Sequence, residues 1–142
     1  MSRLIIAAKN SAIVAGDDVA RAGAGKTLEK LVERIGASVW FEGLRGRNSF
    51  PTDHPAYRGT LAFDAPGVAK QFADNDLVLL VGGPFFEEVW YGPGSPFPAG
   101  ITVIEYLTNL DAIGTPRCRF MALPLRIEGA DGSPVRAVAF VE

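Results

Sequence analysis

Histidine and cysteine are almost absent from these 142 residues: His54 and Cys118 each stand alone. A single cysteine excludes an intramolecular disulfide, and no Cys/His cluster exists from which a zinc site could be assembled. An excess of one charge is missing too. Fourteen Lys and Arg stand against 16 Asp and Glu, a net charge of −2, and no basic stripe argues for nucleic acid. Long apolar runs are also lacking. Leu4-Ile5-Ile6-Ala7-Ala8 falls far short of the roughly 20 residues of a membrane span and carries no signal-peptide cleavage pattern, so a cytoplasmic protein free of membrane is expected.

What is present is an ordinary globular composition, with hydrophobic residues at 48% and charged residues at 21%. A chain of this length is expected to form one domain, 1–142, able to bury about two thirds of the surface its unfolded form exposes. Residues 12–16 read as a buried strand running into Gly16-Asp17-Asp18, with Asp17 or Asp18 as a helix cap. Apolar positions at Ala24, Leu28, Leu31, Val32 and Ile35 recur at helical spacing across residues 19–35, and Gly36 ends the helix. Val39 and Trp40 begin a second strand. Residues 67–73 read as a helix with Pro66 near its first turn. Leu77-Val78-Leu79-Leu80-Val81 is apolar on both faces, the mark of a covered parallel strand. Residues 101–106 read as a fourth strand and 110–113 as a helical turn. Strands alternating with helices make an α/β, Rossmann-like doubly wound, mainly parallel sheet. The tail differs: residues 120–127 and 135–141 are β-type runs around Asp131-Gly132, which predicts an antiparallel C-terminal hairpin in a divergent stretch, 115–142.

Candidate chemistry centres on Gly46-Arg47-Asn48-Ser49-Phe50-Pro51-Thr52-Asp53-His54-Pro55-Ala56-Tyr57-Arg58-Gly59, which places the one histidine between two prolines. Each proline restricts the residue before it, so the direction of the imidazole is partly preset. Imidazole suits proton transfer near neutral pH, yet a lone histidine in such a loop is often simply a polar anchor. Arg45, Arg47 and Arg58 flank it; a bidentate grip on a carboxylate is open to them, though bonds to local acids or loop carbonyls are the commoner use. Gly25-Lys26-Thr27 imitates the end of a phosphate-binding loop. Ala20 stands where that motif needs glycine, and no strand directly precedes it. Gly82-Gly83-Pro84 reads as turn chemistry, Phe85 and Phe86 as core or interface, and the Trp90-Tyr91 stretch as a packed lid or domain contact.

Three segments carry a resemblance: Leu31-Val32-Glu33-Arg34-Ile35-Gly36-Ala37-Ser38-Val39-Trp40, the element Ser49-Phe50-Pro51-Thr52-Asp53-His54-Pro55 with Tyr57-Arg58-Gly59, and Asp76-Leu77-Val78-Leu79-Leu80-Val81-Gly82-Gly83-Pro84-Phe85-Phe86. In order and in register over residues 4–114, the chain resembles the central domain of thiamine-diphosphate-dependent enzymes, most of all the benzoylformate decarboxylase branch. The resemblance implies a domain or fragment of a 2-oxoacid decarboxylase, a carboxy-lyase inactive on its own. It implies partner pyrimidine- and pyrophosphate-binding domains of the same enzyme and a homo-oligomer. Thiamine diphosphate and magnesium belong to the complete enzyme, with no cofactor or metal held here; the Gly-Asp-Gly run with which the family binds its metal is missing. The resemblance also places His54 in the active site as a proton relay. FAD is disfavoured, because Glu87-Glu88 stand near the turn where flavin-binding relatives carry an arginine. The alternative is a stand-alone Rossmann-like module for nucleotide binding or oligomerisation, without catalysis.

Overall fold

The computed structural model describes residues 8–83, 85 and 95–104, with the backbone of 119–124 and 135–140. The chain divides into two compact units. One runs Ala8–Tyr106, and the last two segments belong to the other.

The first unit is a five-stranded parallel sheet with helices between its strands. Strands β1 (Ser11–Ala15), β2 (Ser38–Phe41), β3 (Tyr57–Thr60), β4 (Leu77–Val81) and β5 (Thr102–Ile104) lie in the order β3-β2-β1-β4-β5. The doubly wound expectation is thereby met. Ala12, Val14, Val78 and Leu80 point to one face, where they pack with Leu61, Val68, Phe72 and Phe85. The alternate residues Ile13, Val39, Phe41 and Leu79 are equally buried, so both faces are covered, as parallel strands require.

The amino ends of the strands are fastened together by Asp76. Its carboxylate accepts the Lys9 and Asn10 amides at 2.8 and 3.1 Å, which holds it below the usual carboxylate range, while its carbonyl accepts the Thr102 amide at 3.2 Å.

Three details depart from the sequence reading. The helix expected over 19–35 is two, α1 (Asp17–Arg21) and α2 (Gly25–Ile35), because Gly23 turns left-handed (φ 65°) and two glycines within four residues disfavour continuous helix. Gly25-Lys26-Thr27 therefore opens α2 rather than lying inside a helix; α1 and not a strand precedes it. Neither Asp17 nor Asp18 caps α1, whose cap residue is Gly16 with no side-chain bond. Strand β3 lies in a stretch that the sequence marks as loop. Its Tyr-Arg-Gly-Thr lacks apolar periodicity, and the register with β2 shifts between Val39 and Trp40, an irregularity in keeping with a glycine inside a strand. Gly36 ends α2 with φ 66°, as expected; the helix expected over 67–73 is α3 (Ala65–Gln71), two residues earlier because Asp64 caps it by accepting the Gly67 amide at 2.7 Å.

In the second unit β6 (Arg119–Pro124) pairs antiparallel with β7 (Val135–Phe140), from Arg119 opposite Phe140 to Pro124 opposite Val135. The Asp131-Gly132 turn, the helical turn at 110–113 and the Trp90-Tyr91 stretch lie outside the described residues.

Candidate functional site

His54 stands at the amino end of β3, where the proline-bounded loop arrives from the far end of β2. Two short backbone turns shape that approach: the His54 amide reaches the Pro51 carbonyl at 3.4 Å, and the His54 carbonyl accepts the Tyr57 amide at 2.9 Å. The ring sits edge-on to Phe50, centroids 4.9 Å apart, and its side chain is 15% exposed. Nδ1 accepts the Ala56 amide at 3.1 Å. A nitrogen that accepts from an amide carries no proton, so in the neutral ring the proton is on Nε2. That atom lies 3.8 Å from Glu33 Oε1.

Glu29, Glu33 and His54 bring one ligand atom each within 4.8 Å of one another, the one such group among the described residues. The first two lie four residues apart on one face of α2. The imidazole nevertheless faces the wrong way for a cation: a ligating histidine donates its second ring nitrogen to a neighbour, and here that nitrogen accepts. Nε2 of His54 therefore stands near a carboxylate on α2 but beyond hydrogen-bonding distance of it. Around them opens a cleft of about 380 Å³, lined among others by Trp40, His54, Arg58, Gln71 and Asn75. Most of its polar groups already have partners. Gln71 accepts from the Ala62 amide and donates to the Thr60 carbonyl, and Asn75 donates to the Asn10 carbonyl.

Two of the arginines flanking the loop, Arg45 and Arg58, are engaged as well. Arg58 donates to the carbonyls of Pro55 and Tyr57, and Arg45 donates to Thr60 Oγ1 at 2.6 Å while lying 4.3 Å above the Phe41 ring. Neither forms a bidentate carboxylate pair.

The opposite, carboxyl end of the sheet is where doubly wound folds take ligands. Here the turns after β1 and β4 press on each other. Gly16 donates to the Val81 carbonyl and Asp18 to the Gly82 carbonyl, both at 2.9 Å. A Cβ on Gly16 would lie 2.3 Å from the Gly82 oxygen, so the glycine there is a requirement of close backbone approach. Phe85 enters the core. The side chain of Asp17 was missed as a functional group by the sequence reading: it accepts the amides of Gly46 and Arg47, residues 29 and 30 positions away.

Residues 1–117 match the family described as thiamine pyrophosphate enzyme, central domain. The chain belongs to this family. It is 32% identical over 97 residues to benzoylformate decarboxylase of Pseudomonas aeruginosa, covering 68% of this chain and 18% of that one. Two solved structures share the fold: the thiamine diphosphate-dependent 4-hydroxybenzoylformate decarboxylase of Rhodococcus jostii RHA1 (TM-score 0.66, 33% identity, 70% and 19% of the two chains) and the benzoylformate decarboxylase of Polynucleobacter necessarius (TM-score 0.65, 32% identity, 72% and 19%). This thiamine diphosphate enzyme central domain thus spans about a fifth of the length of these relatives. The resemblance drawn from the sequence holds. Among the described residues no helix is long and apolar enough to cross a membrane.

Proposed function

We propose that this central domain serves a thiamine-diphosphate-dependent 2-oxoacid decarboxylase of the benzoylformate type, as scaffolding between the domains that hold the cofactor. The observation that carries this reading is the likeness to decarboxylases of benzoylformate and of its 4-hydroxy derivative, at 32–33% identity and TM-scores of 0.65–0.66. When bound in the complete enzyme, thiamine diphosphate supplies the carbanion chemistry. Pyrimidine- and pyrophosphate-binding domains of that enzyme would hold it with magnesium, in a cytoplasmic homo-oligomer.

The described residues do not fit a magnesium diphosphate. Asp17 is taken up by two amides, Asp18 by Arg21 at 2.7 Å, and the His54 cluster presents a protonated nitrogen. Asp18 also stands where a dinucleotide turn opening at Gly16 needs its second glycine, and Arg21 where it needs its third, which weighs against FAD and against the nucleotide-binding alternative. An active-site role for His54 is part of the proposal and rests on the resemblance alone; Nε2 would be the atom relaying the proton. Calorimetric titration of this chain with thiamine diphosphate and magnesium tests the assignment of the cofactor to other domains. No saturable heat is expected, and micromolar binding would overturn it.

A further inference from the structure

The loop after β2, residues 42–50, turns two consecutive backbone amides towards one carboxylate. Gly46 donates to both oxygens of Asp17, at 3.1 Å to Oδ1 and 3.0 Å to Oδ2, and Arg47 donates to Oδ1 at 3.0 Å. Successive amides converging on an anion form the concave nest that binds phosphates in other proteins. Gly46 permits the approach, since a Cβ there would already stand 3.3 Å from Oδ2. Ser49, 2% exposed, pins the same loop to the turn after β1 through a 2.6 Å bond from Oγ to the Gly16 carbonyl. Asp17 itself follows that turn, beside the reversal of strand order between β1 and β4.

We propose that residues 46–47 are an anion receptor that the chain fills with its own Asp17 carboxylate, beside the point where the strand order reverses. Asp18 does not compete for the nest, because Arg21 holds it. With Asp17 removed, the amides would take a compact oxyanion of the phosphate class, which offers several acceptor oxygens and a charge of the same sign. This inference stands whether or not the complete enzyme is a decarboxylase.

Inorganic pyrophosphate titrated into the ¹⁵N-labelled chain tests it. In the wild-type chain the Gly46 and Arg47 amides are expected to exchange with solvent about tenfold or more slower than unprotected amides, although both residues are exposed. Their resonances should stay in place as pyrophosphate is added. In Asp17→Gly the same two resonances should move saturably. A folded Asp17→Gly whose Gly46 and Arg47 resonances ignore pyrophosphate would overturn the proposal, as would wild-type resonances that follow it. Should Asp17→Gly fail to fold, wild-type exchange decides: protection supports the filled receptor, and unprotected rates at both amides refute it.

Discussion

Gly16→Ala is expected to destabilise this chain by about 3 kcal/mol or more, at or beyond the upper end of the usual range for overpacked sites. The added Cβ would lie 2.3 Å from the Gly82 oxygen and 2.8 Å from its carbonyl carbon. Both are backbone atoms, so no side-chain rotation relieves the overlap. The turn after β1 must part from the turn after β4, breaking the Gly16 to Val81 and Asp18 to Gly82 hydrogen bonds. Conformation is not the cause, since Gly16 has φ −98°, which any residue adopts. Gly36→Ala is the natural control: φ there is 66° and nothing lies within 4 Å of a Cβ, so the cost is the left-handed backbone alone, about 1–2 kcal/mol. Urea denaturation of both variants separates steric from conformational cost; equal midpoints would show that the two turns do not press on each other.

His54→Ala is expected to cost about 1–3 kcal/mol, the range for leaving a half-buried donor without its partner. The Ala56 amide loses Nδ1, and Phe50 loses the ring against it. An exposed loop histidine would cost less than about 0.5 kcal/mol, but a side chain 15% exposed is not in that class. Turnover settles the rest. In the complete enzyme, a fall in kcat on the order of 10²-fold or more per folded molecule would establish the proton relay implied by the resemblance. A stability loss with unchanged kcat would reduce His54 to the fastener of its loop.

Much of the fold was legible because the central strands are local signals. Ala12-Ile13-Val14-Ala15 and Leu77-Val78-Leu79-Leu80-Val81 are apolar on both faces, and between helical segments a covered parallel sheet accommodates that. Strand β3 was illegible for the opposite reason: Tyr57-Arg58-Gly59-Thr60 is strand through its pairing with β2, a tertiary fact. The break at Gly23 hid within a helical pattern that continues on both sides. For the candidate site, the prolines around His54 marked a constrained loop, but the end of the sheet it reaches depends on β3. Asp17 was misread as a cap because its partners, Gly46 and Arg47, lie 29 and 30 residues on and act through backbone amides, which leave no trace in side-chain identity.

The most direct test of the central claim is carbon dioxide release from benzoylformate by the complete enzyme that contains this domain, assayed with and without thiamine diphosphate and magnesium. The account predicts release that requires the cofactor. An enzyme that binds thiamine diphosphate yet liberates no carbon dioxide from benzoylformate or any other 2-oxoacid would contradict it.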